Sequence, residues 1–280
     1  MLGRNTRWVV GALALVCLVL IGPSATRDDL PDAEPLPAGA AAKIVPNRVM
    51  TWNICNPCGA KENAGRAADI ATYAPQVIGL QEACVRDVER IRDYLRRLYG
   101  LVYHVTYGSV LRNWSRCGGL PWHAGGYGQA ILSAAPATDG VTKEYPDGGS
   151  EDRGFMAVTT EVDGRPVRVF NTHLAERRQE AVRARQVPVL AEEIARHDRA
   201  IVLGDFNAVP DSPELRPIRP LATDADPRCR PSAGGACAPT TDWQSKFDYV
   251  FLRGIASRAH HVRPSAHSDH HMFYADLSPL

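Results

Sequence analysis

The chain has 280 residues, 45% of them hydrophobic and 22% charged, with a formal net charge of +1. That composition excludes wholesale disorder and leaves room for one large domain or two small ones. It also excludes a global basic field, so any nucleic-acid contact has to come from a local groove.

The N-terminus reads as a targeting segment. Arg4 and Arg7 precede an apolar run over residues 8–21, which is short for a membrane span and suits the core of a signal peptide. Residues 1–25 are therefore expected to be a signal peptide, or an N-terminal anchor if uncleaved. Residues 26–46, rich in Pro, Ala, Asp and Gly without apolar periodicity, read as a linker, and residues 47–280 as the domain. Cys17 lies in the apolar run; the six remaining cysteines are Cys55, Cys58, Cys84, Cys117, Cys229 and Cys237. An even count behind a signal peptide points to disulfides and to secretion, with Cys229 and Cys237 closing one loop. No second C-x-x-C completes a zinc site at Cys55 and Cys58.

Short β-rich runs are expected at 48–52, 77–80, 101–106, 130–132, 155–162, 167–170, 200–203 and 247–252. Helices are expected at 62–73, 85–99 and 176–196, the last broken or kinked at Pro188. Asp163-Gly164 between two runs marks a hairpin. The glycine-rich stretch 108–128 reads as a long loop. Early alternation of strands and helices, followed by a hairpin, predicts an α/β sandwich with mixed sheets.

Polar side chains recur where these runs end: Asn53, Glu82, His173, then Asp205 and Asn207. Asp248 lies near the start of its run, so an antiparallel strand would bring it to the same rim. Singly each has an ordinary reading. Gly204-Asp205-Phe206-Asn207 suits a turn, and Ser268-Asp269-His270 suits a helix cap. Together, on one rim, they would converge in a cleft.

The ordered set Thr51-Trp52-Asn53, Leu80-Gln81-Glu82, Gly128 to Ser133, Glu151-Asp152-Arg153-Gly154, Asn171-Thr172-His173-Leu174, Gly204 to Asn207, Lys246 to Tyr249 and Ser268-Asp269-His270 resembles the endonuclease/exonuclease/phosphatase superfamily, the fold of pancreatic deoxyribonuclease. With its export signal and extra cysteines, the chain resembles secreted actinobacterial members. The resemblance implies a four-layer sandwich of two mixed β-sheets flanked by helices. It implies Mg²⁺-assisted (alternatively Mn²⁺ or Ca²⁺) in-line attack of water on a phosphate ester. Glu82, Asn53 and Asp269 would hold the metal, and His173, Asp205, Asn207, Asp248 and His270 would carry the catalysis. Cys55 stands where many family nucleases have an acidic residue, and Gln129 where many have Asn. A disulfide from Cys84 to Cys55 or Cys58 would brace the metal end of the cleft.

Arg153, and Trp114 and Arg116 of the glycine-rich stretch, are candidate substrate contacts, since aromatic and basic groups together stack bases and hold phosphates. Packing of the tryptophan onto the sandwich is the plainer alternative. Arg177, Arg178, Arg183 and Arg185 read as a solvated helix face. The expected activity is a secreted phosphodiesterase or nuclease acting as a monomer, with DNA or RNA as candidate substrates. A phosphomonoesterase or a phospholipid/inositol-phosphate phosphatase is the alternative. A non-catalytic extracellular metal-binding module, using His260, His261, His267, His270 and His271, or a non-catalytic extracellular binding module, is the alternative of another class.

Overall fold

The computed structural model describes residues 41–56, 62–112, 114–120, 123–229 and 237–280. The expected signal and most of the expected linker lie outside these residues. Among the described residues, no helix is long and apolar enough to cross a membrane.

The first half of the chain runs β1 (Val45–Asn53), α1 (Asn63–Tyr73), β2 (Pro75–Cys84), α2 (Val85–Tyr99), β3 (His104–Arg112), α3 (Trp114–Cys117), β4 (Gly119–Leu120), β5 (His123–Ala124) and β6 (Gly126–Ser133). The second half runs β7 (Thr138–Glu144), β8 (Gly154–Val162), β9 (Arg165–His173), α4 (Glu180–Ala195), β10 (Ala200–Asp205), β11 (Thr223–Asp224), β12 (Asp248–Arg253), β13 (Ser257–Arg263) and β14 (Met272–Leu277). One six-stranded sheet has the order β13-β14-β1-β2-β6-β3, and the other β11-β12-β10-β9-β8-β7. Each contains one parallel pair, β1–β2 and β9–β10, joined through a helix, and antiparallel neighbours elsewhere. The sandwich of two mixed sheets is thus as expected from the sequence.

Side chains of a strand alternate between faces, and here the alternation sorts three cores. Met50, Trp52, Ile78, Leu80 and Leu132 pack with Ile70, Val88, Ile91 and Leu95 of α1 and α2. Phe155, Phe170, Val202 and Phe251 pack with Val187, Leu190 and Ile194 of α4. The intervening residues Val49, Val77, Ile131, Met156, Val169, Ile201, Leu203, Val250 and Phe273 fill the space between the sheets. The result is helix, sheet, sheet, helix.

Along each strand the inter-sheet face turns from aliphatic to polar. Val49 leads by twos to Thr51 and Asn53, Val169 to Asn171 and His173, and Leu203 to Asp205, while Val250 is preceded by Asp248. At the changeover Gln81 Nε2 donates to Thr51 Oγ1 (3.0 Å) and Asn171 Oδ1 (2.6 Å), and Asn171 Nδ2 donates to the carbonyls of Leu80 and Ala130 (both 2.9 Å). These buried amides tie one sheet to the other directly beneath the polar end.

Several expectations change. The 108–128 stretch is not one loop: β3 extends to Arg112, and α3 and the β4–β5 hairpin follow. Helix α4 runs through Pro188 without a break. Pro188 and Ala184 both lie on its exposed face, so water can serve the Ala184 carbonyl that the proline leaves unpaired. Arg183 is not solvated. It lies on the inner face of α4 at 2% exposure, and its Nε and Nη2 bind Glu214 Oε1 at 2.9 and 2.7 Å. Cys84 pairs with Cys117, not with Cys55 or Cys58, so the bridge ties β2 to the segment around α3. Cys229 pairs with Cys237, and Asp163 and Gly164, both at positive φ, turn the β8–β9 hairpin, as expected.

A Cβ on Gly79 would lie 2.9 Å from both Asn171 Oδ1 and Leu203 Cβ, so the sheets approach this closely because position 79 has no side chain. We expect Gly79→Ala to lower stability by ~1–3 kcal/mol through overpacking. A urea midpoint equal to wild type would contradict that account.

Candidate active site

Asn53, His173 and Asp205 are the last residues of β1, β9 and β10, and the inter-strand register sets Asp205 beside both His173 and Asp248. The antiparallel β10–β12 pairing therefore brings the start of β12 to this rim, as the sequence required.

Glu82 arrives differently. Strict alternation would aim it at the helix layer with Ile78 and Leu80. A register slip between Leu80 and Ala83, with φ 50° at Glu82, breaks the alternation, and Ala83 takes the helix-facing place instead. Such a bulge re-aims a side chain, and Glu82 lines the cleft.

Asp205 is the hub, at 1% exposure. Its Oδ2 accepts from Asn53 Nδ2 at 3.1 Å and lies 3.3 Å from His173 Nε2 and 3.7 Å from His270 Nε2. Its Oδ1 accepts the backbone N–H of Asn207 at 2.8 Å. Burial pushes its pKa up, but the two imidazoles and the hydrogen bonds from His173 and Asn53 outweigh burial and hold the carboxyl below its ordinary range.

His270 is fixed on three sides. Its Nδ1 lies 2.9 Å from Asp248 Oδ2, its carbonyl accepts Trp52 Nε1–H at 3.0 Å, and its N–H donates to Ser268 Oγ at 3.1 Å. Ser268 Oγ in turn donates to the carbonyl of Asn53 at 2.7 Å. Burial lowers the His270 pKa, but the Asp248 and Asp205 carboxylates outweigh it and raise it to about 10. The imidazole is thus held as a cation at neutral pH.

The cleft has a volume of about 390 Å³ and is lined by Cys55, Glu82, Arg153, His173, Glu176, Arg177, Asp205, Asn207, Trp243, Phe247, Asp269 and His270. A cavity of about 670 Å³ lies elsewhere, walled by groups such as Leu215, Tyr249, Phe251 and Ile255. Its carboxylates are engaged, Asp224 with Lys246 Nζ at 3.6 Å and Asp226 with Arg228 Nε at 3.2 Å. We take the smaller cleft as the site because the interdependent titratable groups open into it.

The structure brings Asn53, Glu82, Arg153, His173, Asp205, Asn207, Asp248, Asp269 and His270 together. Arg116 stands apart: it is exposed, paired with Glu151 and stacked 5.0 Å over the Tyr127 ring. The side chain of Trp114 lies outside the described part. Sequence reasoning missed Trp243, 41% exposed, whose ring meets that of His270 edge-on at 5.3 Å. It also missed Arg177 as a cleft residue. Trp243 stands five residues before Asp248, which is the one signal that its position near the site gave.

Two places invite a cation. Asp205, Asp248 and His270 offer ligand atoms within 4.8 Å of one another. The His270 imidazolium already supplies the positive charge there. Glu82 and Asp269 fit a metal better. Asp269 Oδ1 is buried without a protein hydrogen-bond partner, and Asn53 Nδ2 donates to Glu82 Oε1 at 3.2 Å. Burial raises the Asp269 pKa; His270 opposes the rise and the nearby Glu82 charge adds to it. Two carboxylates crowded in this way match the all-oxygen preference of Mg²⁺. The histidines of the alternative metal-binding reading disperse: His260 toward Asp226, His261 against Tyr274, His267 to Glu62 and His271 to Asp242.

The sequence profile of the Endonuclease/Exonuclease/phosphatase family matches residues 50–270. No curated protein sequence matches. Among solved structures, an endonuclease/exonuclease/phosphatase from Beutenbergia cavernae DSM 12333 superposes with a TM-score of 0.65 at 25% identity, over 83% of this chain and 71% of that one. D. rerio TDP2 humanized by 14 mutations gives 0.65 at 19% identity, over 82% and 98%. The human Nocturnin catalytic domain with bound sulfate gives 0.63 at 23%, over 83% and 93%.

The raised His270 pKa has a consequence for stability in metal-free protein. Stability from a raised histidine pKa is fully present below the unfolded value of 6.5 and is lost progressively as pH rises through the folded value of about 10. With chelator present, the urea-stability gap between wild type and His270→Gln should shrink from pH 6.5 to pH 10. A gap that stays constant would show that His270 is not held as a cation. The profile over residues 50–270, on a sandwich whose rim gathers this set of groups, makes the chain a member of the endonuclease/exonuclease/phosphatase family and a phosphoester hydrolase.

Proposed function

We propose that the protein is an exported, divalent-metal-dependent phosphodiesterase, with a nucleic acid as the favoured substrate class. The observation that carries this reading is the convergence of a carboxylate held ionised, Asp205, a histidine held cationic, His270, and the carboxylates Glu82 and Asp269 in one cleft. Glu82 and Asp269, with Asn53 beside them, would hold a Mg²⁺ ion. When bound, that ion supplies charge neutralisation at the phosphoryl oxygens.

The chain's own groups do the rest. Asp205 is the acceptor that faces the cleft unprotonated, so it orients the attacking water; as the water oxygen bonds to phosphorus and the ester P–O bond breaks, Asp205 takes the water's proton and the leaving oxygen takes one from the His270 imidazolium. Four fixed groups aim Asp205, which limits reorganisation as charge shifts. His270, backed by Asp248, presents Nε2–H toward the cleft and stabilises negative charge on the phosphoryl group. Asp248 acts behind it, fixing ring direction. His173 and the Asn207 N–H steady Asp205 from the protein side, and Arg153 adds positive charge. His270 would not serve as the base, because it already carries its proton at neutral pH.

The diester reading draws on the rim. Trp243 offers an exposed aromatic edge beside His270, and Arg177 a guanidinium, which suit a base and a neighbouring phosphate. The D. rerio TDP2 structure holds a single-stranded DNA product on the same fold. Export draws on the apolar N-terminal run and on the disulfides Cys84–Cys117 and Cys229–Cys237, which suit an oxidising compartment. Residues 1–25 as signal or anchor, 26–46 as linker and a monomeric domain complete the proposal.

The test is hydrolysis of single-stranded and plasmid DNA, RNA, bis-p-nitrophenyl phosphate and p-nitrophenyl phosphate by wild type, Glu82→Ala and His270→Ala. Diester cleavage should require Mg²⁺, stop with chelator, and fall by at least about 100-fold in each variant. Turnover of the monoester alone would move the reading to a phosphatase. Turnover that survives in Glu82→Ala and in chelator would refute metal dependence at this site.

A further inference from the structure

Glu151 belongs to the motif Glu151-Asp152-Arg153-Gly154, yet it does not line the cleft and the chemistry above gives it no part. Its carboxylate lies between two guanidinium groups: Arg153 Nη2 at 2.9 Å from Oε2, and Arg116 Nη1 on Oε1. At 11% side-chain exposure, the carboxylate is little screened by water.

The far side of Arg153 meets the site. Its Nη1 lies 2.6 Å from His173 Nδ1 and 3.1 Å from His173 Nε2, so the guanidinium spans the two ring nitrogens rather than pointing only at the single lone pair that a neutral imidazole carries. Such a contact depends on the direction in which the fork points. The backbone cannot set that direction alone, although it is firmly held. The Arg153 carbonyl accepts the Tyr145 N–H at 2.8 Å, and the Gly154 carbonyl accepts Gln129 Nε2–H at 2.8 Å. Arg153 Nε is buried without a partner, so the direction falls to the two Nη groups, one on Glu151 and one against His173.

The other end of the brace is anchored. Arg116 stacks over Tyr127 and stands one residue before Cys117, which is bonded to Cys84, two residues beyond Glu82. The Arg116–Glu151–Arg153–His173 chain thus starts from a segment covalently fixed to β2 and ends at a ring facing Asp205.

We propose that Glu151 is a positioning residue for the hydrolysis: it aims Arg153 across the His173 ring, and through it sets the ring's placement against Asp205. This rests on the proposed function for its kinetic consequence, but its geometric part stands apart from turnover. Glu151 acts through Arg153, so the effects of the two residues are not additive.

The experiment uses the full chain as wild type, Glu151→Gln, Glu151→Asp, Arg153→Gln and the Glu151→Gln/Arg153→Gln double variant. Mg²⁺-dependent hydrolysis of bis-p-nitrophenyl phosphate and urea midpoints are measured on each. Imidazole resonances of His173 are followed with isotope-labelled histidine, in chelator. We expect Glu151→Gln to lower kcat about tenfold in protein that stays folded, with a lower urea midpoint because two guanidinium groups lose their shared carboxylate. Glu151→Asp should recover part of that loss. In the Arg153→Gln background, Glu151→Gln should change kcat by less than about twofold. The His173 resonances should shift in Glu151→Gln and not shift further in the double variant. Wild-type kcat in Glu151→Gln, a full additional loss in the double variant, or unmoved His173 resonances would each overturn the proposal. A wild-type protein inactive on every ester defeats the functional reading, and the His173 resonances then still decide the positioning role. If Glu151→Gln does not fold, Glu151→Asp and the Glu151→Asp/Arg153→Gln double variant carry the same comparisons, with a smaller expected loss.

Discussion

A carboxylate at 1% exposure has to be compensated, and for Asp205 the compensation comes from both sheets. Asn53 reaches it from β1 in one sheet; His173 and the Asn207 N–H reach it from β9 and the end of β10 in the other; His270 comes from the segment before β14. A shift of any one of these groups leaves the buried carboxylate less fully compensated. The same requirement explains the buried amide layer beneath. Gln81 and Asn171 bond the sheets to each other where the aliphatic packing stops, so the polar rim stands on a fixed floor. The stabilising core and the reactive rim are two ends of the same strands.

Electrostatics follow from that placement. Asp205 and His270 are displaced in opposite directions: His270 helps hold Asp205 ionised, and Asp248 first and Asp205 second hold His270 protonated. A site with an ionised acceptor and a protonated imidazole, both fixed before any ligand arrives, needs little rearrangement to meet a phosphoryl group. The bulge at Glu82 shows the cost of building such a site on a sheet. Regular alternation had to be broken, with a non-glycine residue at positive φ, to turn one carboxylate into the cleft.

Much of this was legible in the sequence because it is written in strand ends. Asn53, His173 and Asp205 follow buried runs, and the period of two predicts that they share a face with Val49, Val169 and Leu203. Helix α2 was legible from Val88, Ile91 and Leu95 at helical spacing. Other elements left no periodic trace. β14 is a six-residue run buried on both faces, so it does not alternate. β7 is exposed throughout, and β13 is half-buried and rich in Arg and His. Arg183 was misread because its charge spoke louder than its spacing with Val187, Leu190 and Ile194. The partner of Cys84 depends on how far the segment after β3 folds back toward β2, which no local pattern reports. Trp243 was missed because a single exposed aromatic in a turn carries no period at all.

The central claim is that Asp205 is the ionised acceptor on which the site is organised, and Asp205→Asn tests it most directly. The substitution keeps the shape and one acceptor oxygen, turns the other into an amide donor, and removes one of the two carboxylate charges that hold His270 as a cation. We expect Mg²⁺-dependent hydrolysis of bis-p-nitrophenyl phosphate to fall by at least about 1,000-fold while the protein stays folded. We also expect the His270 imidazole, followed by NMR in chelator, to titrate at lower pH than in wild type. A variant that keeps wild-type turnover, or a His270 titration unchanged by the loss of the Asp205 charge, would contradict the account.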